Sequence, residues 1–316
     1  MTLSNERIAY FNGEYLPESQ VRVPFRDRSF IFGDGCFDMT RTFGHRLFKV
    51  KEHVDRLYRS LKYLRLDPGL SPSEMMAVTE TVTERNLHLL DRSEDYWVGQ
   101  RISRGVNKVE GDGWDHYGPN VIVECAPLPL KPRAKLFRDG IRVVAPSNRR
   151  IPPQSLTPRA KTHNYLNLIV GDQEVQSQDP GAWAVLLDMN GNFTEGLGSN
   201  IFFVRGGEIV TPREQFVLPG VSRQTAIDLA REEGLTVREA DTDAYDAYTA
   251  DECFLTSTSL CICPVVSVNG QHVGPEGQVW GPVTRRLADA YIRLVGCDFV
   301  QQYIDRIDDK VPTRAF

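Results

Sequence analysis

The sequence holds no apolar run near the ~20 residues that a membrane-spanning helix requires, so insertion into a bilayer is not expected. It has no basic excess either. Against 37 Lys and Arg stand 42 Asp and Glu, a formal net charge of −5, which gives no electrostatic reason to expect nucleic acid or an anionic membrane as partner. The six cysteines, Cys36, Cys125, Cys253, Cys261, Cys263 and Cys297, include no C-x-x-C pair. Most lie in apolar, strand-like stretches such as VIVECAP and LCICPVV, and read as small buried hydrophobes. The histidines are scattered and never fall at metal-ligand spacing, so no metal site is expected. The segment MTLSNERIAYFNGEY lacks the basic-then-apolar pattern of a secretory leader, and a cytoplasmic location is the expectation. No internal repeat or low-complexity tract interrupts the chain.

What is present is a globular balance, 41% hydrophobic and 25% charged, in a chain whose 316 residues exceed one ordinary core. The first part reads as strands joined by tight turns. Asn12-Gly13 is a type I′ hairpin signal, and the Gly-rich turn FGDG precedes the strand-like CFDMTRTF. From Lys51, apolar residues recur at Val54, Leu57, Leu61 and Leu64, in helical steps of three and four, until Asp67-Pro68. A second helix is expected from Ser71 or Ser73 to about Leu87, with Ser73 as a plausible cap. The strands YWVGQRISRG and PNVIVECAP follow. PLPLKPRAK is proline-rich and basic, with little to bury, and reads as a linker. The second part has hairpin signals at Asn190-Gly191, Gly206-Gly207 and Asn269-Gly270, and helices near 165–177, 223–233 and 282–295. The mixture lacks regular βαβ alternation. The expectation is α+β in two domains: a small N-terminal domain over 1–126, a linker over 127–134 and a large C-terminal domain over 135–316.

Five features could carry chemistry, and each has an ordinary reading as well. Lys161 stands where proline-rich irregular chain meets a helical pattern. A lysine there can point into a cleft, where a desolvated amine suits Schiff-base chemistry, or it can be a solvated surface residue. Glu195 follows a hairpin in the Gly-rich GNFTEGLGSNIFFV. It can sit against a pyridine nitrogen and keep it protonated, or be a plain turn acid. Leu218-Pro219-Gly220-Val221-Ser222 opens a helix whose N-terminal N–H groups suit a phosphate, or simply form an ordinary capped start. The cluster Thr256-Ser257-Thr258-Ser259 can nest an anion or cap a strand. Arg56, beside the apolar stripe of its helix, can grip a phosphate bidentately or face water.

In this order, with the stretches FGDGCFDMTRTFGHRLFKVKEHVDRLYRSLKYL, KTHNYLNLIVGDQEV, GNFTEGLGSNIFFV, IVTPREQFVLPGVSRQTAIDLA and ADECFLTSTSLCICPV, the sequence resembles the class IV, or fold type IV, pyridoxal-phosphate enzymes. The resemblance runs from about residue 9 to 291. That family includes branched-chain aminotransferases, D-amino-acid aminotransferases, (R)-selective amine transaminases and aminodeoxychorismate lyases. The resemblance implies a two-domain α+β fold with the active site between the domains, pyridoxal 5′-phosphate as cofactor, held by the C-terminal domain, and a homodimer or higher homo-oligomer. It implies Lys161 as the Schiff-base lysine and proton carrier, and Glu195 as the acid at the pyridine nitrogen. Arg56, Gly220, Val221, Ser222, Ser257 and Thr258 match the phosphate cradle. Leu218 matches a residue packed on the cofactor ring, and Tyr165 an aromatic residue near the cofactor hydroxyl. Ser259 matches a position facing the substrate.

Members of the family differ in how they hold the substrate carboxylate. The branched-chain type carries a tyrosine and an arginine where this chain has Trp97 and Gly99, and an early pocket tyrosine aligns with Phe32. Arg41 matches an arginine of the branched-chain pattern and offers a cation there, or is a strand arginine facing water. The arginine and histidine that the D-amino-acid type places after its R-G dipeptide have no match in VNKVEGDGWDH beyond Lys108 and His116. RRIPPQSLTPRAK is similar to (R)-amine transaminases. Phe32, Met39 and Trp97 are then candidate apolar pocket walls, or core. The reading is an aminotransferase moving an amino group from an amino acid to a 2-oxo acid, of branched-chain-like pattern. The alternatives are a D-amino-acid or (R)-amine transaminase, a lyase on the same fold, or a non-catalytic protein that kept the fold.

Overall fold

The computed structural model describes residues 5–313, so the first four residues of the segment read for a leader and the last three of the chain lie outside the described residues. The chain divides into two compact units. Unit 1 runs to Leu128 and also takes in Ala160–Asn164, while unit 2 comprises Pro129–Arg159 and the chain from Tyr165 onward.

Two features of this division depart from the sequence expectation. The division between Leu128 and Pro129 falls inside the stretch 127–134 expected as a linker, but that stretch is not irregular chain. From Leu130 it forms the helix α4 that is given below, with Leu130, Arg133 and Ala134 buried. Pro132 falls in the first helical turn, where its missing N–H costs no hydrogen bond. The short segment holding Lys161, placed by sequence in the C-terminal domain, packs with unit 1. It joins by backbone pairing, with Cys36 opposite Thr162.

In unit 1 the elements are β1 (Ile8–Phe11), β2 (Glu14–Pro17), α1 (Arg28–Phe32), β3 (Gly35–Phe43), β4 (Arg46–Leu47), α2 (Val50–Leu64), α3 (Pro72–Asn86), β5 (Tyr96–Ser103), the small pair β6 (Val106–Asn107) and β7 (His116–Tyr117), and β8 (Asn120–Pro127). The six-stranded sheet has the order β2-β1-β8-β5-β3-β4, with antiparallel neighbours. Asn12 and Gly13 both take positive φ, 49° and 101°, as the two-residue hairpin between β1 and β2 requires. One sheet face is covered by α2 and α3. Val54, Leu57 and Leu61 from α2 and Met75, Val78 and Val82 from α3 bury against Val98, Ile102, Val121 and Val123. The cap of α3 is Ser71, in a capping box with Glu74, and not Ser73.

In unit 2 the elements are α4 (Leu130–Asp139), β9 (Ile141–Val144), α5 (Leu166–Gln178), β10 (Trp183–Leu187), β11 (Phe193–Gly196), β12 (Asn200–Arg205), β13 (Glu208–Thr211), α6 (Val221–Glu232), β14 (Val237–Glu239), α7 (Ala244–Tyr248), β15 (Glu252–Ser257), β16 (Cys261–Val268), β17 (Gln271–His272), α8 (Pro282–Val295) and α9 (Phe299–Ile304). The strands follow the order β11-β10-β9-β16-β15-β12-β13-β14, with β17 on β16, and β11 also pairs β12. That last pairing closes β11 to β12 into a ring, and Glu195 opposite Asn200 is the register pair that closes it. The interior is packed by apolar residues from both ring and helices, including a stacked Phe202–Phe254 pair.

Among the described residues no helix is long and apolar enough to cross a membrane, and no group of His, Cys, Asp and Glu is placed to hold a metal ion. The cysteines are free thiols, all but Cys297 buried. Burial pushes the Cys36 and Cys125 thiols up to about 12, as expected of packing residues.

Candidate active site

In unit 1 the backbone of Lys161 is held from both sides. Its N–H donates to Ser60 Oγ at 3.0 Å, and its carbonyl accepts from the Phe37 N–H at 3.0 Å. Its Nζ lies 4.6 Å from the centroid of the Phe37 ring. Ser60 in turn donates to the carbonyl of Arg56, one turn earlier on α2. One helix thus positions two of the expected site residues.

Arg56 is buried and forks onto Asp38, with Nε and Nη2 each 2.8 Å from a carboxylate oxygen. His53 Nδ1 is 2.6 Å from the same carboxylate. Burial alone would push the Asp38 carboxyl up, but the Arg56 guanidinium and His53 override it and hold it well below the usual carboxylate range. Burial holds His53 below the ordinary imidazole value. Asp38, His53 and Ser60 were not singled out in the sequence. For His53 and Ser60 the signal was the spacing of three and four residues from Arg56, which sets all three on one face of α2; Asp38, on β3, left none. His163 was also missed. It stacks on Phe37, pairs with the Ser29 hydroxyl, and is pushed down to about 4 by burial and then by Arg101.

The other face of the sheet carries Phe37, Met39 and Arg41 of β3 beside Arg101, Gly99 and Trp97 of β5. Met39 and Trp97 are half-buried on this face. Phe32 ends α1, exposed and stacked on Trp114 at 5.8 Å. Arg41 corrects the sequence reading. It is fully buried, donates from Nε to the Thr42 carbonyl, lies 3.5 Å from Asp95 and sits over the Phe43 ring. A cation enclosed by a carboxylate, a carbonyl and an aromatic face is part of the packing, so Arg41 faces neither water nor a substrate.

Unit 2 assembles a second group. Glu195 Oε1 accepts from Arg150 at 3.0 Å, and Oε2 accepts from the Leu218 N–H at 2.8 Å. Asn200, opposite Glu195 in register, donates to the Leu218 carbonyl at 3.1 Å. The same side chain fills the space beside Gly220, where a Cβ would lie 2.3 Å from Asn200 Oδ1. Glu195, Leu218 and Gly220 are therefore brought together around one asparagine. Gly220 is the N-cap of α6, and no side chain caps that helix, which begins with the buried Val221 and Ser222. Thr256 lies opposite Asn200 on the neighbouring strand, so the Ser257-Thr258 turn follows directly at its end. Ser257 Oγ accepts from the Leu260 N–H and lies 3.2 Å from Ser259 Oγ. The Ser259 hydroxyl is corrected: it is buried, bonded to Arg133, and so turned into the unit. Tyr165 is the half-buried N-cap residue of α5, against Leu168 and its neighbours. Arg150, Asn200 and Arg133 went unnoticed in the sequence, because their partners are distant along the chain.

Taken by itself, unit 1 holds an amine fixed by its backbone, which suits an aldehyde; unit 2 holds an ion-paired carboxylate, which suits a pyridine nitrogen, and a helix start without a side-chain cap, which suits a phosphate. The family described as amino-transferase class IV matches residues 35–268, and the chain belongs to it. It is a pyridoxal-phosphate-dependent transaminase that moves an amino group from an amino acid to a 2-oxo acid. The branched-chain-amino-acid aminotransferase of Escherichia coli strain K12 is 32% identical over 301 residues, covering 93% of this chain and 94% of that one. The crystal structure of the Escherichia coli enzyme superposes with a TM-score of 0.82 at 29% identity, covering 96% of this chain and 97% of that one. A T.th. branched-chain amino acid aminotransferase, solved with pyridoxamine 5′-phosphate, gives a TM-score of 0.80 at 25% identity, covering 92% of this chain and 95% of that one.

Proposed function

We propose that this transaminase exchanges amino groups between branched-chain-type amino acids and 2-oxo acids, as a cytoplasmic homodimer or larger homo-oligomer. The substrate class rests on the names of the relatives just given. The observation that carries the reading is the seat of Lys161, whose backbone is tied to Ser60 and Phe37 while its Nζ lies beside an aromatic wall.

When bound, pyridoxal phosphate supplies an electrophilic aldehyde and an electron sink. Lys161 Nζ would hold the cofactor at its aldehyde carbon and would serve as the base that carries the substrate α-proton. Glu195, steadied by Arg150, would hold a proton on the ring nitrogen. The first N–H groups of α6 at Val221 and Ser222 and the hydroxyls of Ser257 and Thr258 would receive the phosphate, with Arg56 as a further candidate cation for it. Leu218 would pack on the ring, and Tyr165 would stand near its hydroxyl. Phe32, Met39 and Trp97 would wall the substrate.

Lys161→Ala is expected to abolish both transamination and the visible absorption of the lysine-held cofactor. Normal turnover in that variant sinks the assignment. A donor screen tests the substrate class: L-leucine should convert the cofactor to its amine form. Conversion by D-alanine or (R)-1-phenylethylamine in its place overturns the branched-chain assignment.

A further inference from the structure

The face of the unit 1 sheet opposite α2 and α3 carries a second cation beside the reactive lysine. Arg101 projects from β5 two residues beyond Gly99, and its Cζ lies 5.5 Å from the centroid of the Phe37 ring. Lys161 Nζ lies 4.6 Å from the same centroid, so the reactive amine and this guanidinium border one aromatic side chain. Arg41 on this face is 1% exposed and engaged by Asp95, whereas the Arg101 side chain is 41% exposed. Among the described residues the hydrogen-bond partner of Arg101 is Glu124, on β8, through one N–H at 3.2 Å. Gly99 makes this arrangement possible. A Cβ there would lie 2.7 Å from Glu124 Oε1 and 3.1 Å from Met39 Cε, so those two side chains occupy the space over Gly99.

We propose that Arg101 is the specificity-determining residue that receives a carboxylate of the substrate, and that Glu124 is its resting partner until the substrate arrives. The proposal rests on the transaminase reading. An ion pair made through a single contact, with its arginine open to solvent, is a weak one. An incoming carboxylate that takes two N–H donors of the guanidinium fork makes a stronger contact and displaces it. Burial pushes the Glu124 carboxyl above its usual range, with Arg101 pulling it back, so Glu124 is an anion that its surroundings do not favour. Glu124 also excludes other anions from the guanidinium when no substrate is bound.

The test uses cofactor-loaded protein and three non-reacting probes: 4-methylvalerate, glutarate and the neutral 4-methylvaleramide, with binding followed by calorimetry. Arg101→Ala should weaken carboxylate binding about 10- to 100-fold, the range of a charge-assisted hydrogen-bonded pair. Amide binding and the cofactor absorption should not change. Arg101→Lys should recover part of the loss. Glu124→Gln should tighten carboxylate binding several-fold, and that gain should vanish when Arg101 is absent, a coupling that a merely structural role would not produce. An equal loss for both acids assigns Arg101 to the carboxylate beside the reacting carbon, and a loss confined to glutarate assigns it to the distal one. Unchanged acid binding in Arg101→Ala, or equal losses for acids and amide, overturns the proposal while intact cofactor absorption leaves the transaminase reading standing. Absence of that absorption in the parent protein overturns the reading itself and this inference with it.

Discussion

Asp38 shows what one residue contributes when its charge is enclosed. It has no exposed surface and is the shared acceptor of Arg56 and His53. A buried ion pair is a modest source of stability as a whole, yet removing one partner strands the other at a cost of roughly 3–5 kcal/mol. Asp38→Asn keeps the shape and removes the charge, so urea unfolding at neutral pH should show a loss in that range. The sign of the pH dependence follows from the depressed carboxyl. Its stabilisation is present above the unfolded-state value of about 4 and is lost as pH falls toward the lower folded value. The gap between parent and variant should therefore hold from neutrality down to about pH 4 and narrow below it. A gap that stays constant through acid would show that the Asp38 charge is not what the helix is built around. Because Arg56 is oriented by Asp38, the variant should also bind pyridoxal phosphate more weakly.

At the scale of elements, the start of α6 is the most constrained feature of unit 2. Gly220 fits because it has no side chain. Asn200 occupies that space while it also holds the Leu218 carbonyl. Gly220→Ala forces Asn200 or the helix start to move, a local overpacking worth about 1–3 kcal/mol. The expected readouts are a lower melting temperature and about tenfold weaker cofactor affinity in a spectroscopic titration, since the helix N–H groups would be displaced from the anion. Parent-like affinity would mean that α6 is not the phosphate seat.

What the sequence revealed at this scale follows from locality. The stripe Val54, Leu57, Leu61 predicted α2, and the run after Gly220 predicted α6, because helical periodicity and helix starts are local signals. The paired positive φ values at Asn12-Gly13, Gly206-Gly207 and Asn269-Gly270 were likewise readable. Helix α4 was hidden, because prolines that a first turn tolerates look like those of a linker. The five-residue excursion that carries Lys161 into unit 1 was also hidden, since it is held by pairing with β3 and by Ser60 of α2, both far away in sequence. For the candidate site the same division holds. Lys161, Glu195 and the α6 start were visible as motifs. Arg150, Asn200 and Asp38, which orient them, were not, because a partner from another strand leaves no spacing to read. Arg41 shows the converse case: alternation along β3 could not reveal that Asp95 and Phe43 enclose it.

For the molecule as a whole, surface composition bears on assembly. Unit 1 exposes Phe25, Phe30, Phe32 and Trp114, with Phe30 78% and Phe25 71% accessible. Unit 2 exposes Leu166, Ile169 and Val170 along α5. Single exposed apolar residues are common, but aromatic groups of this size in one short stretch mark a surface that a partner covers. A net charge of −5 is too small to keep two copies of the chain apart at physiological ionic strength. The protein should therefore sediment at twice the 35.7 kDa chain mass or a higher multiple. Phe30→Asp places a charge in the middle of the aromatic stretch and should weaken association by about tenfold or more, as loss of a buried aromatic anchor does. Both proteins would be followed by equilibrium ultracentrifugation across micromolar concentrations, with circular dichroism to confirm that the variant folds. A parent that is monomeric throughout sinks the homo-oligomer reading. A folded variant that associates as tightly as the parent leaves the oligomer standing and removes this aromatic stretch from its interface.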